Sequence, residues 1–480
     1  MGTPSWQHHD AQGPIELTPF RSKDALSQQQ QQQHADDQLQ HHIMLDKEYG
    51  IQSSRKPKQW WEFLQHGGGW LLATAHIVTA IIGAGVLGLP YALSWLGWVG
   101  GIFILLLFYV ITLWSSLMLA ECHETNGVKH PTYRAAVLHV LGPVHAAILA
   151  LFQYFNLVLS SIGYTVAAGQ SLRMLVGEVC GRTRFDTCYN KVWQMSLVFG
   201  VCQLFLSQLP SLEDAWWSSI IGAAMSFMYS TCALALGASK AHHRLGSVYG
   251  RHAAPVPKAM NIFNALGSIA FAYNFTGVLM EIQSTLHEPP KARINMRRAI
   301  HTGMGGSLLF YLAVSILGYL ALGDGVPGDI LTGFSGPAAV VSAANVMVLL
   351  HMLPAYQVFS QPVFHGTEQA LTEHVPGVRR LPAWGLRIIV RSCYVVFTTT
   401  VAAVMPFFTD IIGLVGALVF WPAAVYYPVT MYKKLYNPRK PVRDLMFAMN
   451  VAAALTSAVA VVGASYNIAT HVQNYTFGWF

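Results

Sequence analysis

Charge is scarce in this chain. Only 11% of its 480 residues are Asp, Glu, Lys or Arg, under half of the roughly 25% carried by soluble globular domains. That shortage excludes a water-solvated fold of several domains. Cysteine is also sparse, at six residues, too few for a disulfide-built scaffold. The phosphate-cradling pattern G-x-x-x-x-G-K-[ST] does not occur, and no apolar stretch holds the paired His ligands of a membrane metalloprotease. Neither ATP-driven chemistry nor any other enzyme is expected, and no cofactor or metal. The net charge of +7 comes from Lys and Arg set in short segments between apolar runs, not interleaved with stacking aromatics, so nucleic acid is not an expected partner. The first 66 residues lack the apolar core of a cleaved signal peptide. They carry a Gln28 to Gln33 run and His-His pairs at His8 and His41, and they read as a disordered cytosolic tail.

Apolarity is what the chain has in excess. Hydrophobic residues make up 53% of it, and stretches of about 20 residues, enough to cross a hydrocarbon core of about 30 Å, recur from Trp70 almost to the end. Spans are expected at 70–97, 98–120, 144–176, 192–209, 214–238, 260–281, 299–321, 337–360, 386–405, 410–431 and 442–466. The expectation is therefore an all-α polytopic membrane protein of eleven transmembrane helices. Residues 1–66 form the tail, 67–466 the transmembrane domain and 467–480 a short extracellular end. With a cytosolic tail, 21 of the 29 Lys and Arg fall on the inner side, the side on which basic residues accumulate. An odd number of spans then puts the C-terminus outside. Cys180 and Cys188 share an outward loop, where a disulfide can form. Cys122, Cys202, Cys232 and Cys393 lie in or beside apolar segments and are expected to be buried, unreactive thiols.

Backbone breaks inside a bilayer are costly unless they line a protein-enclosed cavity. The first span contains T-A-I-I-G-A-G-V-L-G-L-P-Y-A from Thr79, and the sixth contains G-S-I-A-F-A-Y-N-F-T-G from Gly267. Each glycine cluster has two readings: tight packing of helices through small residues, or an unwound segment whose free peptide groups bind a ligand. Two such segments separated by four spans match a five-plus-five inverted repeat, in which paired breaks near the midplane form the substrate site.

Several long blocks resemble the plant-type amino acid permeases of the amino acid and auxin permease family, over roughly residues 66–466. They include H-I-V-T-A-I-I-G-A-G-V-L from His76, Q-Y-F-N-L from Gln153, I-G-Y-T from Ile162 and A-F-A-Y-N-F from Ala270. Further blocks are G-D-G-V-P-G-D-I-L-T-G-F from Gly323, A-Y-Q-V-F-S-Q-P from Ala355 and M-P-F-F-T-D-I-I-G-L-V-G-A-L-V-F-W-P from Met405. The resemblance implies eleven helices in the leucine-transporter arrangement with helices 1 and 6 broken. It also implies a cytosolic N-terminus, a plasma-membrane setting, amino acids as substrate and the proton gradient as energy source. The long Gln/His tail and the short loops near 239–258 and 366–383 depart from the family pattern.

An α-amino acid carries a carboxylate and an ammonium on one carbon, so a general site needs N–H donors facing carbonyl acceptors. Gly83, Ala84 and Gly85 are assigned to the carboxylate, and the carbonyls of Phe271, Ala272 and Tyr273 to the ammonium; Phe271 and Tyr273 could instead only pack. Asn274 sits in the second break. Asn156 and Tyr164, eight residues apart on one face of the third span, either bond substrate or bridge helices. Proton coupling requires a titratable group within the membrane, and His76 and His351 are the candidates, the alternative being neutral histidines satisfied by carbonyls. Glu281 either pairs with a cytosolic Arg as a gate or is a solvated helix end. Asp410 reads as the N-cap of the tenth span. Proton and amino acid symport leads. Import of an auxin-like indole acid and amino acid sensing without transport are the alternatives.

Overall fold

The computed structural model describes residues 69–125, 127–183, 191–208, 216–241, 246–286, 291–375, 377–378 and 381–474. Among them the architecture is helical, with one two-stranded hairpin, β1 (Glu124–Thr125) antiparallel to β2 (Val128–Lys129). Nine helical stretches are long and apolar enough to cross a membrane, and two apolar helices are shorter, Gly69–Ile81 and Val192–Leu206. The protein is a polytopic all-α membrane protein.

Helix α1 (Gly69–Ile81) ends in a three-residue break, and α2 (Gly85–Glu121) follows. Gly97, at φ 73° and ψ 177°, splits α2 into two helices, so the expected boundary between 97 and 98 falls on the kink. The left-handed φ suits glycine, and here a Cβ would also strike the backbone of Val248 and Gly250. Loop 246–251 closes on that kink: Trp98 N–H donates to Val248 O at 3.1 Å, and Arg251 N–H to Ser94 O at 2.8 Å.

Helices α3 (Tyr133–Leu141), α4 (Pro143–Thr183), α5 (Val192–Leu206) and α6 (Trp216–Lys240) follow. Thr132 caps α3 by accepting Ala135 N–H at 3.2 Å. Then α7 (Pro255–Ala272) stops at a second break, a 3-10 turn covers Thr276–Val278, and α8 (Leu279–Ser284) completes the crossing. Helices α9 (Ala292–Leu322) and α10 (Ala338–His374) are joined by loop 323–337. Last come α11 (Ala383–Val404), α12 (Phe408–Val419), a π-helix at Phe420–Tyr426, α13 (Tyr427–Tyr436) and α14 (Lys440–Asn474). The last helix runs to Asn474 instead of ending at 466, and α10 continues to His374 through what the sequence suggested was a loop. The π-turn surrounds Pro422, which has no N–H, and the Tyr133 hydroxyl donates to the nearby Ala423 O at 2.6 Å.

Small residues set the closest crossings. A Cβ on Gly267 of α7 would meet Gly413 of α12, and one on Gly416 would meet Gly267 in return. Gly267 therefore serves close approach between helices, the packing reading of its motif. Helix α10 packs between α4 and α6, and α9 against α1, α2 and α6.

Four cysteines are free, and they are not all buried: Cys122 is buried and Cys232 partly so, while Cys202 and Cys393 are exposed on the outer surface of the helices. A thiol in a lipid-facing position needs no cover from protein, which the sequence pattern does not distinguish from burial. Cys180 is disulfide-bonded. The expected partner, Cys188, lies outside the described residues, as does the tail of residues 1–66.

Candidate functional site

Both expected breaks exist. At the first, Ile82 N–H still reaches Val78 O, but Gly83 N–H turns back to Ile81 O at 2.9 Å, and Ala84 and Gly85 donate to no backbone carbonyl among the described residues. Two free N–H groups thus stand at the N-terminus of α2, the end at which a helix attracts anions. At the second, Asn274 N–H bonds Phe271 O and Phe275 N–H bonds Tyr273 O, both at 3.0 Å. The carbonyl end of α7, at Ala272 and Tyr273, carries the opposite partial charge.

These two ends touch. A Cβ added to Gly85 would lie 3.0 Å from Ala272 Cα and 3.2 Å from a ring carbon of Phe271. Gly85 is therefore a contact between the breaks, not part of an empty hollow. Gly83 and Gly277 have nothing within 4 Å of such a Cβ, so the open sides of the paired breaks lie at these two glycines. Beside Gly83 the free N–H groups of α2 and the carbonyl end of α7 lie close together.

The remaining expected residues distribute unevenly. Asn156 and Asn274 do meet, with Asn274 Nδ2 donating to Asn156 Oδ1 at 3.1 Å, which fastens α4 to the second break. Tyr164 is buried and lies edge-on to Phe359 at 5.1 Å, with no hydrogen bond to either break. His76 is on the exposed face of α1 and bonds no described side chain, whereas His351 is held at Nδ1 by Gly222 O at 2.7 Å, with its ring 5.8 Å from that of Tyr229. No bond joins the two histidines. Glu281 meets no arginine among the described residues: one carboxylate oxygen accepts Tyr133 N–H at 3.4 Å and the other is buried without a partner. The arginine pairing expected there occurs at Glu121, with Arg293 at 2.9 Å and Arg297 at 3.7 Å. Position explains the exchange, since Glu281 is tucked under the start of α3 while Glu121 lies beside α9.

Three buried polar assemblies were not foreseen. Tyr311, fully buried on α9, places its hydroxyl 2.5 Å from Ile81 O and 2.8 Å from Ala272 O. Both carbonyls end a half-helix, so one side chain fastens the two breaks together. Nothing in S-L-L-F-Y-L-A-V distinguishes this tyrosine from a lipid-facing one except its hydroxyl, which an apolar span must satisfy. Asp410 is the second case. It is the third residue of α12, Phe407 is the N-cap, and no side-chain cap is made. Its carboxylate instead accepts Asn264 Nδ2 at 2.8 Å and pairs with His471 Nδ1 at 2.6 Å, tying α12 to α7 and α14. The third is Arg391, counted from sequence as an orientation signal. It is buried on α11, bonded to Glu368 at 3.2 Å and to Ser207 O at 2.8 Å.

A fold of lipid-length helices, two of them interrupted with opposed helix ends in contact, defines a polytopic membrane transporter. Comparison with known proteins specifies it further. The transmembrane amino acid transporter protein family model matches residues 66–470, and the chain belongs to that family. It is 38% identical to Amino acid permease 2 of Arabidopsis thaliana over 434 residues, covering 84% of this chain and 88% of that relative. Amino acid permease 4 of the same plant is 37% identical, covering 77% of this chain and 85% of the relative. Lysine histidine transporter-like 6 is 33% identical, at 77% and 84% coverage.

Proposed function

We propose that the chain is a secondary active transporter that carries amino acids together with protons by alternating access. The observation that carries this reading is the apposition of the α2 N-terminus and the α7 C-terminus, with an open side at Gly83. Free N–H groups suit a carboxylate and helix-end carbonyls suit an ammonium, so the pair fits the part common to all α-amino acids. Gly83, Ala84 and Gly85 take the carboxylate; Phe271, Ala272 and Tyr273 take the ammonium, with Asn274 and Asn156 bracing the second break. The proton gradient supplies the energy, and no cofactor takes part.

The two breaks also support the eleven-span, five-plus-five architecture, counting α2 as two helices at Gly97 and including the short apolar helices. The distribution of Lys and Arg supports a cytosolic N-terminus and an outward C-terminus in the plasma membrane. Arg391 drops out of that argument, because its charge is held in a buried pair, but the remaining excess has the same sign. His351 is the better-placed coupling histidine. A carbonyl can only accept, so the bond from Nδ1 to Gly222 O fixes the proton on Nδ1 and leaves Nε2 free to receive another.

The test is uptake of an isotope-labelled amino acid mixture, read by mass spectrometry, in cells expressing the chain at about pH 5.5 and about pH 7.5. Uptake should be higher at the acidic outside pH and collapse with a protonophore. Accumulation indifferent to both would remove proton coupling, and absence of accumulation despite saturable binding would favour a sensor.

A further inference from the structure

Asp329 lies in loop 323–337, between α9 and α10, and is fully buried although it belongs to no membrane-crossing helix. One carboxylate oxygen accepts Leu331 N–H at 3.0 Å, capping the short 3-10 turn Ile330–Gly333. The other has no partner and is buried. Capping needs one oxygen, and an asparagine would supply it equally well. The surplus oxygen is what an acid adds.

Among the described residues no cation is bonded to it; Lys240 of α6 lies over the ring of Phe334, 5.7 Å from its centroid. Arg251, the charged group of the neighbouring loop, donates to Val326 O and Ser94 Oγ and stacks on Tyr91. Asp324 is held by Tyr319 and by Ser247 N–H, and no ion pair reaches Asp329 among the described residues. The titratable groups facing this corner are Tyr164 on α4, Tyr229 on α6 and His351 on α10, with Tyr91 on α2. Tyr229 is close enough to Asp329 for electrostatic interaction, and its own hydroxyl is buried with no partner. Its ring lies against His351, whose Nε2 is the free acceptor.

We propose that Asp329 is a proton-binding site of the transport cycle. A proton from the outer solution adds to the unpartnered oxygen of Asp329. The carboxyl is then neutral, and release of that proton to the inner solution restores the carboxylate. Burial pushes the Asp329 carboxyl up to about 7, so it can take up and release a proton near neutral pH. The inference rests on the symport reading and adds to it the group that takes the proton first.

Asp329→Asn keeps the cap and removes the proton. In proteoliposomes, acid-driven uptake of the labelled mixture should fall at least about tenfold and lose its pH dependence. Exchange of internal for external amino acid, which needs no net proton movement, should stay within about twofold of wild type. Asp329→Glu should retain acid-driven uptake with a displaced pH midpoint. An Asp329→Asn protein with the wild-type pH profile overturns the inference while leaving symport intact. A wild-type protein that ignores pH overturns both. Loss of exchange together with uptake in Asp329→Asn, at normal amounts in the membrane, would make the residue structural and also overturn it.

Discussion

The link between the two helix breaks runs through one atom, and removing it tests whether the breaks work as a unit. Tyr311 offers a single hydroxyl proton to Ile81 O and Ala272 O, at 2.5 Å and 2.8 Å. Ile81 O keeps a second donor, Gly83 N–H, whereas Ala272 O has no other backbone donor among the described residues. Tyr311→Phe preserves the ring, including its contact with Tyr273 at 5.4 Å between centroids. It leaves one buried carbonyl unpaired, which costs about 1–3 kcal/mol. If the bond belongs to one conformation of the cycle, that energy shifts its population about 5- to 150-fold. The expected result is a fall of that size in the maximal uptake rate at an unchanged amount of surface protein, measured by initial-rate uptake and surface biotinylation. Tyr273→Phe is the matched control: its hydroxyl is buried without a partner, so its removal should be neutral or slightly stabilising. Wild-type rates in Tyr311→Phe, or a larger loss in Tyr273→Phe, would refute the reasoning.

The two glycines of the first break should separate in their response. Gly83→Ala has room for its Cβ and should fold normally while raising KM, whereas Gly85→Ala presses on Ala272 and Phe271 and should cost about 1–3 kcal/mol of stability, read as a lower Tm in detergent. Arg391→Met strands the mostly covered Glu368 carboxylate and should cost up to about 3 kcal/mol; adding Glu368→Met should restore much of it, because replacing both partners is often neutral. Stability should also fall as pH rises. The Asp329 carboxyl is near 7 in the folded chain against an ordinary 3.8, so the folded state binds that proton more tightly. Its contribution is full below about 4 and is lost as pH rises through about 7. The Tm of purified protein should therefore decline between about pH 6 and pH 8, and that component of the slope should be absent in Asp329→Asn.

Sequence was informative wherever a residue type has one physical use. The span boundary at 97–98 and the position of the glycine-rich segments were legible, because lipid-length apolar runs have no second meaning in a chain so poor in charge and a glycine cluster inside one marks a close contact or a break. The apposition of the breaks was legible only as spacing. Which glycine faces the partner helix and which faces open space depends on the path of the unwound segment: Gly83 lies within the break and Gly85 opens α2, so helical spacing does not set their relative direction. Residues with several uses were misassigned for the same reason. Arg391 reads as an orientation signal unless Glu368, 23 positions earlier, is known to lie beside it, and Asp410 reads as a cap until α14 brings His471 against it.

A pattern joins the assemblies that sequence did not reveal. Tyr311 bonds carbonyls on α1 and α7, Asn274 reaches Asn156 on α4, and Asp410 reaches Asn264 on α7. Each meets the element that carries the second break, on one side or the other of it. In lipid no hydrophobic force separates helix–helix from helix–tail contact, so polar bonds between helices carry specificity that packing alone does not. A mobile half-helix needs partners that can be exchanged one at a time, and side-chain amides and hydroxyls can re-pair where a backbone ladder cannot. On that argument the exchangeable contacts are Tyr311 with Ala272 and Asn274 with Asn156, while the glycine-to-glycine crossing of Gly267 on Gly413 and Gly416, reinforced by the Asn264–Asp410 bond, holds α7 and α12 as one body.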